Sequence, residues 1–447
     1  MTTIKTNDQD MLAIAQSCID IAKKAGAKEA AARAYRVRDV SLDYRDSRVE
    51  KIQESTTRGV NLQLFVDGRY STVSTSDLRP DALKTFITDS IAVAKAIAPD
   101  PFRALPDAAL YKGQSSVDLQ LEDPKYAEVS ADEARKVCKA IQDGARGVKG
   151  GDTLTSVGSQ FSSNLVENWM VASNGFSGSN RGTTFFLAAE ISAKDSDGRR
   201  PEDFDYAGSR FWSSVGDPAA IGARAAQRTL SRLGAKKGQT AEMTVLIDNR
   251  AAGRIVGMLG AALSGANLQQ KRSFYEGKLG QQVASPLLSI TDDPLVPKGF
   301  GSRRFDIEGI AAKPRVIFAD GVVKSYNLDT YYAKKLNMAP TSGSTSNLSW
   351  RLGQKSQKEL LAEAKDALLI TSFIGGNSNS GTGDFSLGVV GFRVRDGQIA
   401  EPLSEMNLSG NHLELWKKLV AVGNDPFPYS SMRTPTLVFE NLSVAGT

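Results

Sequence analysis

Residues 60–75, VNLQLFVDGRYSTVST, carry the clearest fold signal in this sequence. Apolar residues occupy every second position from residue 60 to residue 66, which is typical of a strand with one buried face. Asp67 and Gly68 come next, and Asp-Gly between alternating apolar runs is a strong hairpin signal. The stretch therefore predicts two antiparallel strands, the second of which covers residues 70–75.

Helices and further strands are predicted on both sides of this hairpin. An apolar stripe indicates a helix from Asp10 to Ala25, and a second helix is expected from a cap near Ser76, through Pro80, to Pro99. Residues 100–124 show no hydrophobic periodicity, so we expect an irregular segment there. Beyond them, a capping box at Ser130–Glu133 predicts a helix that extends to Gln142. Two or three strands are expected within Leu154–Ile191, with turns at Ser173–Gly175 and Ser177–Asn180. A further helix is expected from Asp217-Pro218 to Gly234.

A short polar segment, Ala235–Gln239, is the predicted boundary between two domains, because 447 residues exceed the usual size of a single core. The first domain, residues 1–235, is expected to pack helices against a mixed or antiparallel sheet. The second, residues 236–447, is expected to form a strand-rich core, barrel-like or a sandwich. The fold class is therefore α+β.

Local signals in the second domain predict two hairpins and two helices. The hairpin turns are Asp320-Gly321 and Asp396-Gly397. The helices are expected over about 251–266 and over 357–367, and Ser356 and Glu359 form the capping box of the latter.

Composition and charge narrow the classes of function. The chain is 41% hydrophobic and 23% charged with a net charge of +5, and its acidic and basic residues are interleaved, so nucleic acid is not an expected partner. No run approaches ~18 apolar residues, and the polar start MTTIKTNDQD does not resemble a signal peptide. The two cysteines, Cys18 and Cys138, lie on apolar helical stripes and indicate no disulfide framework. We therefore expect a cytoplasmic protein that does not bind membranes.

Metal chemistry is limited by the side chains available. The sequence has one histidine, His412, and two distant cysteines, whereas catalytic zinc sites usually use three protein ligands. His412 precedes LELWKKLV, so it is expected to cap an amphipathic helix or to lie on the surface. Asp292-Asp293, before Pro294, is expected to form a turn rather than to bind Mg²⁺ or Ca²⁺. The chain by itself is expected to build no conventional zinc site and to need no cofactor.

Nucleophilic catalysis has equally little support. There is no G-x-S-x-G motif, and a Ser-His pair would need the only imidazole; a Ser-Lys pair stays open, because lysines are many. Residues 375–384, GGNSNSGTGD, resemble a phosphate-binding loop but lack the G-x-x-x-x-G-K-[ST] pattern and precede a predicted strand. We interpret them as a flexible or tightly turned loop that lines a cleft.

Several long stretches together resemble the TldD/PmbA family over nearly the whole chain. The stretches that carry the resemblance are Arg58–Val60, FVDGRYSTVSTSDL (65–78), AVAKAIAPDPFRALPD (92–107), LSGANLQQKRSFYEGKLGQQV (263–283), FDIEGIAAKPRVIFADGVVKSY (305–326), YYAKKLNM (331–338), TGDFSLGVVGFRVRDGQIAEPLSEMNLSGN (382–411) and VGND (422–425). Within the family, LSGANLQQKRSF and VPKGFGSRRFDIEG resemble the PmbA (TldE) kind, which lacks zinc.

The resemblance also implies where zinc would lie in the other kind of subunit. The TldD kind carries HExxxH on a helix, completed by a cysteine nearer the C-terminus. In this chain the equivalent helix reads GRIVGMLGAALSGAN, so the motif falls at Gly257, Met258 and Ala262, give or take one residue. None of these side chains is a zinc ligand, and the segment PYSSMRTP (428–435) offers no thiol.

The function that the resemblance implies is a non-catalytic subunit. Such a chain would pair with a TldD-like zinc peptidase subunit, enclose a chamber, and help to recognise unfolded peptides for proteolysis or peptide maturation. The candidate peptide-contact residues lie in the glycine-rich loop, whose following strand is expected to pair with peptide: Gly375, Gly376, Asn377, Gly381, Thr382, Gly383 and Asp384. Two alternatives stay open, a stand-alone homodimeric interaction or regulatory protein and a metal-independent hydrolase.

Overall fold

The computed structural model of the chain describes residues 8–446 as a mixed α+β structure with three sheets. The expectation about the first residues, MTTIKTN, lies outside this range. Within residues 8–446, no helix combines the length and the apolar content that crossing a bilayer requires.

The first sheet is antiparallel throughout. Its strands are β1 (Glu29–Arg45), β2 (Arg48–Val66), β3 (Arg69–Thr75), β4 (Leu154–Ala172), β5 (Ser177–Ala193) and β6 (Glu202–Ser209). They pair in the order β3-β2-β1-β4-β5-β6. The predicted hairpin at Asp67-Gly68 joins β2 to β3, and these two residues have φ of 48° and 75°, as a tight hairpin turn requires.

Four helices cover one face of this sheet. They are α1 (Asp8–Lys24), α2 (Pro80–Ala94), α3 (Ala131–Arg146) and α4 (Pro218–Ser231). Ala32 packs with α1 and α2, and Leu42 packs with α3 and α4. Both residues are even-numbered on β1 and so point to the same side. Ala31 points to the opposite side, where it joins a cluster with Phe305 from the second half of the chain.

The second half of the chain, after the proposed boundary at residues 235/236, is rich in strands. They are β7 (Ala241–Ile247), β8 (Ile290–Asp292), β9 (Arg315–Ala319), β10 (Val322–Val323), β11 (Leu348–Trp350), β12 (Asp366–Phe373), β13 (Asn377–Ser378), β14 (Asp384–Arg395), β15 (Gln398–Asn411), β16 (Leu419–Val422) and β17 (Leu437–Ala445). The helices are α5 (Asn249–Ala262), α6 (Gly265–Gln269), α7 (Thr330–Lys335), α8 (Gln357–Glu363) and α9 (His412–Leu415).

Five of these strands close into a barrel. The path β12-β7-β17-β15-β14 returns to its start because β14 also pairs with β12. Of the five strand pairings that close this barrel, β12–β7 is parallel and the other four are antiparallel. The predicted barrel-like core is therefore confirmed, and β8 to β11 form a small separate sheet beside it.

Several local predictions differ from the structure. Ser177–Asn180 is not a turn but the start of β5, since the hairpin turn at Ser173–Gly175 already reverses the chain. The cap of α2 is at Arg79, without a side-chain hydrogen bond, and not near Ser76; the helix ends at Ala94 instead of Pro99. The sequence did not predict strand β6, and α3 extends to Arg146 instead of ending at Gln142. The helix predicted over about 251–266 is divided, since α5 ends at Ala262 and Ser264 caps the separate helix α6. The helix predicted over 357–367 ends at Glu363.

The Asp292-Asp293 pair is only partly a turn. Asp292 is buried at the end of β8, where its carboxylate pairs with Arg315 at 3.1 Å and accepts a hydrogen bond from the Ser346 amide. Asp293 does form a turn, since its side chain accepts from the Leu295 amide. The two carboxylates are therefore satisfied separately.

Candidate functional site

The helix α5 lies between the barrel core and the surface. It follows β7 directly and begins where the Asp248 carboxylate accepts a hydrogen bond from the Arg250 amide at 2.8 Å. Its buried side, with Ile255 and Leu259, belongs to the main core of the second half. The opposite side carries small residues such as Gly260, around which a side chain would meet open space.

The three positions that correspond to the zinc motif have different surroundings. Gly257 and Met258 are half-buried, whereas Ala262 is 0% exposed. Residues five apart on an α-helix are rotated by roughly 140°, so positions 257 and 262 face different directions. Two histidines at these positions would therefore not point at one ion unless the helix were locally rewound.

The segment 428–435 lies against the same helix. A Cβ built on Gly257 would be 3.8 Å from Met432 Cε, and one built on Gly253 would be 3.8 Å from Met432 Sδ. The Thr434 hydroxyl donates to the Asn249 carbonyl at 2.7 Å, and the Trp350 indole donates to the Met432 carbonyl at 3.0 Å. The structure thus brings together the two regions that the sequence singled out.

The donor set around α5 does not fit a zinc ion. Zinc in proteins takes thiolate, imidazole or carboxylate, whereas positions 257, 258 and 262 offer a bare glycine, a thioether and a methyl group, and the residue against Gly257 is Met432. Across residues 8–446 no three His, Cys, Asp or Glu residues are grouped so as to hold a metal. The cysteines are far from this helix in the sheet-and-helix cores, where burial raises the pKa of Cys18 to about 12 and of Cys138 to about 11.

His412 is neither a cap nor a surface residue, contrary to expectation. Asn411 caps the short helix α9 by accepting from the Leu413 amide, and His412 is 0% exposed between the rings of Phe274 and Phe385. The expected longer helix is absent because the chain turns into β16 at Leu419. Burial lowers the pKa of His412 to about 4, so the imidazole is neutral at pH 7.

A serine–histidine pair was missed by sequence reasoning. The Ser378 hydroxyl lies 3.2 Å from Nε2 of His412, while Nδ1 is buried without a hydrogen-bond partner among the described residues. Catalytic pairs of this kind usually have a third group that orients the imidazole. The pair here lacks one, and its imidazole is a weak base, so we interpret it as an anchor for the glycine-rich loop.

The glycine-rich loop is tightly turned. Gly375, Gly376 and Gly383 have φ of 70°, 97° and 86°, and a Cβ on Gly376 would lie 2.3 Å from the Ser386 carbonyl oxygen. The Asn379 side chain accepts from the amides of Gly381 and Thr382. These amides are therefore already used and do not form an open anion cradle.

The strand after the loop offers no free edge, in contrast to the expectation of peptide pairing there. β14 pairs with β15 along one edge and with β13 and β12 along the other. Next to the loop, the outer edge of the two-residue strand β13 has no partner strand within the described residues, and Asn377 on it is exposed.

The loop and α5 are joined through one short connection. The Phe274 amide donates to the Ser380 carbonyl at 2.8 Å, and the Ser273 hydroxyl donates to the Ala262 carbonyl at 2.5 Å. The loop is therefore placed next to the C-terminal end of α5. Nothing in the local sequence indicated the contact of Phe274 with Ser380, since these residues are more than a hundred positions apart.

An aromatic cluster lies at the other end of α5. Tyr206 of β6 contacts Phe427, Tyr429 and its strand neighbour Phe204 through ring pairs whose centroids are 5.4–6.2 Å apart. Phe427 and Tyr429 also contact each other. The Arg250 guanidinium lies over the Phe204 ring, 4.9 Å from its centroid. Phe204 is 47% exposed, which leaves an accessible aromatic surface beside the helix.

Comparison with known proteins identifies the family. Models of the PmbA/TldA metallopeptidase domain 1, central domain and C-terminal domain match residues 30–97, 124–233 and 240–446. The chain belongs to the PmbA/TldD family. It is 29% identical to the metalloprotease PmbA of Escherichia coli O157:H7 over 409 residues, which are 91% of this chain and 90% of that protein.

Two crystal structures share this fold of the PmbA/TldD family. A Bacteroides thetaiotaomicron protein, described as a candidate modulator of DNA gyrase, superposes with a TM-score of 0.95 at 37% identity, covering 99% of this chain and 100% of that chain. TldE from Thermococcus kodakarensis superposes with a TM-score of 0.83 at 20% identity, covering 97% and 100%. The latter likeness concerns the fold alone.

Proposed function

We propose that this chain is the non-catalytic, PmbA/TldE-type subunit of a TldD-type zinc metallopeptidase heterodimer. The observation that carries the proposal is the α5 face, where Gly257 and Met258 replace ligand chemistry and Met432 packs against the helix. The 29% identity to the metalloprotease PmbA of Escherichia coli O157:H7, over 91% of this chain, supports the PmbA-type assignment. The chain then contributes enclosure and recognition, and the zinc belongs to its partner.

Peptide recognition is the second part of this proposal. The turned loop 375–384 is held by the Asn379 side chain and by the contact of Ser378 with the buried His412, and Asn377 and Thr382 are exposed on it. A peptide would pair with the outer edge of β13, because β14 is paired on both sides. Short main-chain pairing of this kind suits unfolded substrates, since it does not depend on side-chain sequence.

A cytoplasmic location belongs to the same proposal, with homodimers forming when the partner is absent. Its support is the state of Cys18 and Cys138, which are buried, unpaired and distant from each other.

The proposal is tested by measuring zinc and peptidase activity together. Zinc content by mass spectrometry and cleavage of an unfolded fluorogenic casein are determined for this chain alone, for the TldD-like chain of the same organism alone, and for the equimolar mixture. We expect zinc only with the TldD-like chain and full cleavage only in the mixture, which should also elute as a heterodimer.

Two outcomes would contradict the proposal. Cleavage by the isolated chain after chelator treatment would support a metal-independent hydrolase instead. A homodimer that binds a folded protein partner and never associates with the TldD-like chain would support a stand-alone regulatory role.

A further inference from the structure

A polar cleft of about 420 Å³ lies along the first half of β5. One wall is the strand itself at Ser179, Asn180 and Arg181, and the other wall is the irregular segment 118–122. Phe211 and Arg304 complete the lining. This volume is in the range of ordinary ligand sites, about 300–1,000 Å³.

The cleft exists because β6 is shorter than β5. β6 pairs with β5 only between Phe185 and Ser192. Ahead of Phe185, the outer edge of β5 meets the segment 118–122 at Thr183, whose amide donates to the Leu121 carbonyl at 2.9 Å and whose carbonyl accepts from Arg210 at 3.3 Å. From there the segment 118–122 diverges from the strand, and the edge is left open.

Strand geometry fixes which backbone groups face the cleft. In an antiparallel ladder the N–H and C=O of one residue point to the same side, and alternate residues point the same way. Because the Thr183 amide points outward, the backbone groups of Ser179 also point outward, whereas Gly178 and Asn180 point to β4. Ser179 is exposed, and within residues 8–446 no strand lies beyond it to accept from its amide.

The opposite wall is held in place, and the cleft as a whole carries both signs of charge, since Asp118 and Glu122 lie on this wall and Arg181 and Arg304 also line the cleft. The Leu119 carbonyl accepts from the Lys298 amide at 2.8 Å, and the Asp118 carboxylate accepts from the Gln120 amide at 3.0 Å. Glu122 pairs with Arg181 at 2.8 Å. A cleft with two acidic and two basic side chains favours no strongly charged ligand and suits a neutral polypeptide backbone.

We propose that this cleft binds an extended segment of unfolded polypeptide, which adds as a strand to the outer edge of β5 at Ser179. Main-chain hydrogen bonds to Ser179 supply the recognition, as in other sites of strand addition. The occupant is thus any short extended chain without a fixed sequence.

This site is separate from the surface around α5. Glu190 of β5 pairs with Phe204, whose carbonyl accepts from Arg250 on α5 at 2.6 Å. Ser179 lies eleven residues earlier on the same strand, which at 3.3 Å per residue is roughly 35 Å away. The cleft therefore goes beyond the proposed function and needs no zinc-bearing partner to be tested.

A proline substitution tests the proposal directly. Ser179→Pro removes the outward N–H but no hydrogen bond to β4, so the strand should persist. Ser179→Ala keeps the N–H and is the matched control. The probe is fluorescein-labelled, reduced and carboxymethylated α-lactalbumin, and its binding to the full chain alone is followed by fluorescence anisotropy.

We expect wild type and Ser179→Ala to bind equally, and Ser179→Pro to bind about tenfold more weakly. Equal binding by all three proteins would overturn the proposal. So would a change of oligomeric mass in Ser179→Pro with peptide binding unaltered, because the edge would then be a contact between subunits.

A measurement on the wild-type chain covers the case in which Ser179→Pro fails to fold. Hydrogen exchange of the Ser179 amide is compared with and without saturating unfolded α-lactalbumin. Slower exchange in its presence supports strand addition, and an unchanged rate contradicts it.

Discussion

Three residues of α5 show how the helix persists without side chains that could bind a metal. Gly257 and Met258 leave a half-buried face of small and thioether groups, and Ala262 is enclosed by the core. The helix persists because its buried apolar side, and not its exposed side, binds it to the barrel. Its exposed face is therefore free to vary in sequence.

Restoring a histidine at Ala262 should be costly. Ala262 is 0% exposed, so the larger polar ring would strain the core, and we expect the free energy of unfolding to fall by about 1–3 kcal/mol. Urea denaturation of Ala262→His measures this loss. The matched control is Ala261→His at an exposed neighbouring position, which should stay within about 0.5 kcal/mol of wild type. Equal stability of the two variants would show that the site is not closely packed.

His412 should make stability depend on pH. Burial lowers the pKa of His412 from 6.5 to about 4 in the folded state, so the unfolded chain binds a proton first as the pH falls. Its contribution is complete above pH 6.5 and is lost progressively down to about pH 4, to a total of about 3 kcal/mol. Urea denaturation across this range should show a steeper loss for wild type than for His412→Phe. Parallel curves for the two proteins would contradict a neutral buried imidazole.

At the scale of elements, the glycine-rich loop and its anchors act as a unit. The positive φ of Gly375 and Gly376 turns the chain into β13, and the Ser378 hydroxyl then contacts His412 at the start of α9. The glycine-rich loop and the following strand were apparent in the sequence. The paired edges of β14 and the burial of His412 were not, because both arise from strands and rings brought together across the barrel.

Shortening this loop should separate substrate recognition from assembly. Deletion of residues 379–382 removes the exposed tip but leaves β14 and its partners in the barrel. We expect slower peptide cleavage by the heterodimer, with heterodimer formation unchanged by size-exclusion chromatography. A Ser344→Ala variant in a separate exposed loop serves as the control. Unaltered cleavage after the deletion would exclude a role of the loop in substrate binding.

At the scale of the whole molecule, a buried ion cluster joins the first sheet to α5. Asp205 of β6 is 3% exposed and accepts from Arg224 at 2.6 Å and from Arg228, both on α4. The Arg250 guanidinium of α5 approaches the same carboxylate at 4.0 Å, and burial lowers the pKa of Arg250. One carboxylate thus neutralises cations from two different elements.

Removing this carboxylate should weaken the whole protein. Asp205→Ala leaves partly buried guanidinium groups without their counter-ion, and we expect a loss of about 3 kcal/mol in the free energy of unfolding. Glu414→Ala, which breaks an exposed pair with Lys417, is the control and should change stability by less than about 1 kcal/mol. Thermal denaturation of both variants distinguishes a buried structural cluster from a surface pair.

The sequence by itself determined the features that depend on neighbouring residues. The hairpins at residues 67–68, 320–321 and 396–397, the capping box of α8 and the lack of ligand side chains on α5 were all readable, because turns, caps and donor atoms are local properties. Only the tertiary structure decided that Met432 covers α5, that His412 is buried against Phe274, and that β5 extends beyond β6 and has an unpaired outer edge there. These features depend on contacts between distant segments, which no local pattern encodes.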